Sequence, residues 1–395
     1  MMHKVVIAGV GMIPFVNPGR SETYVVMGEQ AVRLALADAG VGYASIQQAY
    51  ASYIYGDSCC GQRVLYNVGM SGIPVINVNN NCSSGSTALF LANQAIAGGM
   101  AEVVLAVGFE QMKPGALGDT FPDRPSPAEL FLRQCEFSEP DTTPIPAALR
   151  LFGSAGLEHM KRFGTTLETF ARIRAKASRH AANNPQAVFR KVVTTEEVLA
   201  DQVLWPGVMT RLMACPPTCG AAAVVLCSEA FAKKNGLDRS VSIAGQALTT
   251  DGAETFESGD RRDLAGYSMS RAAAQKAYDM AGIGAEDVDV VELHDCFAQN
   301  ELLSYESLGL CPEGGAQRFV DEGDNTYGGR YVVNPSGGLL SKGHPIGATG
   351  LAQCTELVRQ LRGRAERRQV EGARIALQHN VGIGGACVVT LYRKD

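Results

Sequence analysis

No run of apolar residues in this chain approaches the eighteen or so that a membrane-spanning helix needs. Nor is there an excess of positive charge. Lys and Arg number 35 against 40 Asp and Glu, a net charge of −5. With an isoelectric point near 5.8, this argues against a general nucleic-acid binder. The Gly-x-Ser-x-Gly elbow of serine hydrolases is missing, and so is a phosphate-cradling Walker pattern. Gly9-Val10-Gly11-Met12-Ile13-Pro14 begins like a dinucleotide fingerprint, but proline follows where the third glycine should stand and no helix opens there. Cys215-Pro216-Pro217-Thr218-Cys219 has the wrong spacing for zinc, and His294 and Cys296 lack a CxxC-type companion, so no metal site is expected. Nothing resembles a secretory signal, because Met1-Met2-His3-Lys4 runs straight into the strand-like Val5-Val6-Ile7-Ala8-Gly9. The eleven cysteines therefore point to a reducing compartment. Tyr392-Arg393-Lys394-Asp395 is not a Ser-Lys-Leu-type signal, and the cytoplasm is the expected location.

What is present is the make-up of a globular enzyme: 395 residues, 46% hydrophobic and 19% charged, enough for two or three domains. The most telling pattern is an internal repeat. Ala31 to Ala49 and Ala273 to Val291 align at one offset, each a helix stopped by glycine (Gly40, Gly282) and followed by a strand. Cys82-Ser83-Ser84-Gly85-Ser86-Thr87-Ala88-Leu89 then matches His344-Pro345-Ile346-Gly347-Ala348-Thr349-Gly350-Leu351. The strands 101–108 and 373–380 match next, and 220–226 matches 384–390. Collinear matches of this kind predict two α/β halves related by a pseudo-twofold axis.

Cys82 follows the strand-like Pro74 to Val78 and precedes an apolar helix that stops at Gly98-Gly99. A thiol there is either a small buried hydrophobe or a nucleophile whose pKa the helix dipole lowers below about 8.5. The repeat favours the second reading, because it sets His344 at the matching helix start of the other half, a base opposite a nucleophile. A second cluster, His294-Asp295-Cys296-Phe297, ends the strand-like Val288 to Leu293, where ligands bind in open α/β sheets. Asn380-Val381-Gly382-Ile383-Gly384-Gly385 forms a glycine-rich turn whose N–H groups could stabilise an oxyanion. Between about 119 and 206 the repeat is lost. Phe121 to Pro127 and Pro140 to Pro146 read as loops, followed by a helical stretch around Gly156 to Asn183. This insertion is rich in Lys161, Arg162, Arg172, Arg174, Lys176, Arg179, Arg190 and Lys191, either a solvated face or a landing site for a phosphorylated carrier. The expected domains are 1–118 with 207–240, the insertion 119–206, and 241–395.

Asn79 to Ser86, His294-Asp295-Cys296-Phe297 and Gly343 to Gly350 together resemble the thiolase superfamily. More narrowly they resemble the sterol-carrier-protein-X type, marked by His-Asp-Cys-Phe where most thiolases carry Asn-Glu-Ala-Phe. The resemblance implies a five-layer αβαβα fold, a homodimer or dimer of dimers, and coenzyme A thioesters as substrates with no bound cofactor. It implies that Cys82 is acylated by a 3-ketoacyl-CoA, that His344 takes its proton, and that His294 polarises the thioester oxygen. Cys296 would be acid and base, the N–H groups of Cys82 and Gly382 would form an oxyanion hole, and the insertion would hold coenzyme A. Many thiolases carry a second cysteine where Asn380 stands, which is why that role falls to Cys296. Two other readings remain: a retro-aldol lyase working with an OB-fold partner, and a non-catalytic acyl-CoA or lipid binder.

Overall fold

The structure is a computed structural model that describes residues 3–114, 123–138 and 145–395, so the loop readings at 121–122 and 140–144 lie outside the described residues. Twelve strands occur among them. The N-terminal half holds β1 (Val5–Met12), β2 (Gln48–Ser52), β3 (Val75–Val78) and β4 (Val103–Glu110). A small ribbon, β5 (Val203–Trp205) with β6 (Met209–Thr210), precedes β7 (Gly220–Ser228). The C-terminal half adds β8 (Val241–Thr249), β9 (Val290–Glu292), β10 (Val332–Val333), β11 (Ile375–Gly382) and β12 (Ala386–Lys394). All but the ribbon join in one order, β10-β9-β11-β12-β8-β1-β7-β4-β2-β3.

The repeat is explicit in that order. Reading outward from the centre, β1-β7-β4-β2-β3 mirrors β8-β12-β11-β9-β10, so each half has the same strand sequence and the two first strands meet. They meet only at the pairing of Val6 with Ser242. Helix Ser84–Ala97 touches β2, β4, β7 and β8, and helix Thr349–Leu361 touches β1, β7, β9 and β11; the two also touch each other. They are the middle helical layer between the two leaves of sheet. Helix Tyr24–Ala39 covers β1 and β7 on one outside, and helix Tyr267–Ala281 covers β8 and β12 on the other. This is the expected αβαβα stack.

The outer layers sit close for a reason visible in β1. A Cβ at Gly9 would lie 2.4 Å from the Ala35 carbonyl oxygen, and one at Gly11 would lie 2.5 Å from the Ala35 nitrogen. Both outer helices stop where expected, at Gly40 (φ 69°) and Gly282 (φ 62°), left-handed positions that favour glycine.

The halves differ in the connection to their last strand. In the C-terminal half a short turn joins Gly382 to Ala386, whereas the N-terminal half inserts everything between Glu110 and Gly220. The predicted helical stretch is two helices, Ala147–Phe163 and Leu167–Ala182, broken at the left-handed Gly164 (φ 76°). The second helix is nailed to the C-terminal half. Arg174 Nη1 donates to Ser341 Oγ at 2.7 Å, His180 Nδ1 lies 2.9 Å from the Asn334 carbonyl, and Lys176 pairs with Glu301. Beyond it, Val188 and Phe189 N–H groups donate to the carbonyls of Lys342 and Ser341 at 3.1 and 3.0 Å. The insertion therefore fixes the segment leading into His344.

Candidate active site

Small polar residues build the turn that carries Cys82. Ser83 Oγ donates to the Asn80 carbonyl at 2.8 Å and Ser84 Oγ to that of Asn81 at 2.7 Å, while Asn80 Nδ2 reaches Thr87 Oγ1 at 3.1 Å. These bonds brace the turn and launch helix Ser84–Ala97. Asn81 takes φ 49°, a left-handed position that asparagine tolerates. Its Nδ2 donates to the Ile383 carbonyl at 3.1 Å, which ties the two halves together beside the thiol.

Cys82 is 4% exposed, and burial pushes its thiol up to about 12. The expectation of a lowered pKa is overturned. Loss of solvation outweighs the helix start, and the buried Glu110 carboxylate acts in the same direction. Its own N–H and that of Ile383 work the other way, towards the thiolate. At rest the sulfur is a neutral thiol that donates to Asn81 Oδ1, 3.6 Å from the sulfur.

Hydrogen bonds assign opposite roles to the two histidines. Thr349 Oγ1 donates to the Pro345 carbonyl at 3.1 Å, so its lone pair receives the proton on His344 Nδ1, 2.6 Å away. His344 Nε2 therefore carries a lone pair, and it is buried without a partner. Burial and the neighbouring Lys342 hold the imidazole neutral, its pKa lowered to about 3. His294 is set by a longer chain. Gln378 Nε2 donates to Ser86 Oγ at 2.8 Å, Ser86 Oγ to Asn380 Oδ1 at 2.9 Å, and Asn380 Nδ2 then faces His294 Nδ1 at 2.8 Å. An amide N–H can only donate, so His294 Nδ1 accepts and Nε2 bears the proton. Burial and the two neighbouring imidazoles hold this ring neutral as well.

The Cys82 sulfur and a ring nitrogen from each of His294 and His344 lie within 4.8 Å of one another. The two rings are 5.2 Å apart at 81°. Three such donors could converge on a metal ion, and they are the one such group among the described residues. A metal would need lone pairs from both rings, whereas the hydrogen bonds supply one lone pair and one N–H. That combination suits a thiol with a base and an anion-stabilising donor beside it.

The other expected residues gather at the same place. Cys296 is 4% exposed, and burial holds its thiol well above the usual range, with Cys215 and Cys82 adding to the effect. A Cβ at Gly382 would lie 2.2 Å from the Asn80 carbonyl, so only glycine lets this turn close on the Cys82 loop. It is the N–H of the next residue, Ile383, that points at the Cys82 sulfur. Next to Gly382 lies a narrow depression of about 10 Å³, little more than the room for one water, lined by Phe131, Leu151, Leu264, Met269 and Val381, with Asp251 among its walls.

Sequence reasoning missed Glu110, although a carboxylate ending an otherwise apolar strand was a readable signal. It accepts from the N–H groups of Ile54, Tyr55 and Gly347 at 3.1, 2.9 and 2.9 Å, and so clamps the turn after His344 to the N-terminal half. Burial outweighs these donors and raises its carboxyl to about 7. For Asn380 the sequence offers a place in the glycine-rich turn but not the task of its side chain. Its role depends on Ser86, which no local pattern reveals.

The basic residues of the insertion do not form one open face. Arg174 and Lys176 are buried, Arg162 pairs with Asp260, and Arg172 is held by Glu168 and Asp321. Arg179, Arg190 and Lys191 remain exposed.

The chain belongs to the thiolase family. Residues 5–121 match the family described as "Thiolase, N-terminal domain", and 251–392 the one described as "Thiolase C-terminal domain-like". It is 52% identical over 396 residues to "Sterol carrier protein 2" of Oryctolagus cuniculus, covering 99% of this chain and 72% of that protein. To "Benzoylsuccinyl-CoA thiolase subunit BbsB" of Thauera aromatica it is 37% identical, covering 97% of this chain and 95% of the relative. Among solved structures, "Ltp2-ChsH2(DUF35) aldolase" superposes with a TM-score of 0.83 at 22% identity over 99% of this chain and 98% of that one, a likeness of fold. By family the protein is a thiolase-type acyltransferase.

Proposed function

We propose that the protein catalyses the reversible thiolytic cleavage of a 3-ketoacyl-CoA, or the reverse Claisen condensation, through an acyl group on Cys82. The observation that carries this reading is the Cys82 sulfur and a ring nitrogen from each of His294 and His344 within 4.8 Å, in rings whose hydrogen bonds set opposite tautomers. His344 Nε2 takes the Cys82 proton as the sulfur attacks the 3-keto carbon, so charge is created only when substrate is in place. The N–H groups of Cys82 and of the 382–383 turn hold the resulting oxyanion. The bond between C2 and C3 then breaks, and the enolate of acetyl-CoA keeps its negative oxygen against the His294 Nε2–H. Cys296 gives that enolate a proton and later takes one from the thiol of incoming coenzyme A. The coenzyme A thiolate displaces the acyl group, and His344 returns its proton to Cys82.

Coenzyme A is a substrate rather than a resident cofactor. An assembly of at least two chains fits the open edge strand β3, beside which Tyr66 and Met70 are 53% and 80% exposed. Light scattering on the purified protein tests it. No described helix is long and apolar enough to cross a membrane.

Cys82→Ala tests the assignment directly. Coenzyme A-dependent cleavage of a 3-ketoacyl-CoA should vanish, and intact-mass measurement should lose the acyl adduct seen on the unmodified chain. Turnover retained by that variant would sink the proposal, as would cleavage that consumes no free coenzyme A, which is the retro-aldol outcome.

A further inference from the structure

A third thiol stands at this site beside Cys82 and Cys296. Cys215 lies on a stretch threaded between two catalytic segments, since Ala214 forms an antiparallel bridge with Phe297 and Pro217 a parallel bridge with His344. Between those bridges the Cys215 N–H donates to the Cys296 carbonyl at 2.8 Å. In an antiparallel pair, the residue after one bridge partner faces the residue before the other. Cys215 therefore stands opposite Cys296, and both side chains leave the same face of the two-stranded ribbon. Hydrogen-bonded opposed residues have Cα atoms about 5.5 Å apart, inside the range of about 4.4 to 6.8 Å that a disulfide spans. Cys296 is buried, and Cys215 is somewhat less so as a residue. Cys215 adds to holding the Cys296 thiol up, and burial, with Cys82 next, pushes the Cys215 thiol up as well.

We propose that Cys215 and Cys296 form a reversible disulfide when a peroxide oxidises the protein, and that this bond switches off proton transfer. The chemistry balances without any resident group. One thiol reacts with hydrogen peroxide to give a sulfenic acid and water. The second thiol then attacks that sulfur, forming the S–S bond and releasing a second water. Each sulfur loses one electron, and the O–O bond of the peroxide takes both. The loss of activity rests on the acyl-transfer reading, in which Cys296 must carry a proton; the disulfide itself does not. Cys82 keeps its free thiol throughout, and dithiothreitol restores the enzyme.

The test treats the purified protein with hydrogen peroxide, maps its peptides without reduction and assays coenzyme A-dependent cleavage in parallel. A linked pair of peptides holding Cys215 and Cys296 is expected, with a loss of about tenfold or more that dithiothreitol reverses. Cys215→Ser and Cys215→Ala should still turn over, because Cys215 carries neither the acyl group nor a proton in the assigned reaction, and prolonged peroxide should take their Cys296 past the sulfenic acid to forms that dithiothreitol does not restore. Absence of the linked pair, a pair containing Cys82 instead, or a dithiothreitol-restored fraction as large in both Cys215 variants as in the parent would overturn the proposal. An untreated enzyme without thiolase activity would count against the assigned reaction and leave the peptide map to judge the disulfide.

Discussion

Removing Asn380 tests how the hydrogen bonds divide the work between the two histidines. Asn380→Ala deletes the amide between Ser86 Oγ at 2.9 Å and His294 Nδ1 at 2.8 Å, both buried. Each group left without a partner costs about 1–3 kcal/mol, and nothing then holds the proton on His294 Nε2. Charge develops at that nitrogen only when the thioester becomes an enolate, so the cost should fall on the transition state. Since 1.36 kcal/mol is a factor of ten in rate, kcat should drop by about 10- to 100-fold with KM little changed. His344 is set separately by Thr349 Oγ1 at 2.6 Å. Alkylation of Cys82 by iodoacetamide, which needs that base, should keep its rate in Asn380→Ala and slow in Thr349→Val. Stopped-flow cleavage of a 3-ketoacyl-CoA and timed alkylation, both well below the melting temperature, supply the two readouts. The reasoning is refuted if Asn380→Ala slows alkylation as much as turnover, or leaves kcat within about threefold of the parent.

Glu110 should make stability depend on pH. Its carboxyl is raised from 4.5 to about 7, so between those values the folded protein keeps a proton that the unfolded chain has lost, and stability falls as pH rises through that window. The loss amounts to ~3 kcal/mol, and Glu110→Gln should remove it. Urea unfolding of both proteins at about pH 5 and pH 8 measures the difference, and equal pH slopes would contradict the assignment. Lys342 and Glu292 form a buried pair at 3.1 Å, each 1% exposed or less. Lys342→Met should destabilise the fold by about 3–5 kcal/mol by stranding the carboxylate, and adding Glu292→Gln should recover much of it; a single variant as stable as the parent would refute the pairing.

How much the amino-acid order determined by itself can be judged from particular residues. Gly40 and Gly282 mark the ends of equivalent helices because only local backbone conformation is involved. The repeat places Cys82 opposite His344 because equal patterns of apolar residues fold into equal halves, and pseudo-twofold packing then joins the matching helix starts. The segment His294 to Phe297 is likewise legible, as polar groups closing an apolar strand. The splitting of the long helical stretch at Gly164 was a local signal passed over.

The tertiary structure alone decided the electrostatics. A helix start lowers a thiol's pKa in water, but Cys82 lies beneath both halves, and desolvation reverses the sign. The basic residues of the insertion looked like one patch because charge is counted along the chain. Arg174 and Lys176 instead turn inward to partners 167 and 125 residues away. The proton on His294 depends on Ser86 and Asn380, which are 294 residues apart. Cys215 faces Cys296 only because an irregular stretch passes between two catalytic loops. Periodicity records which face of an element is buried; the partner that each buried polar atom meets is set by the packing of distant segments.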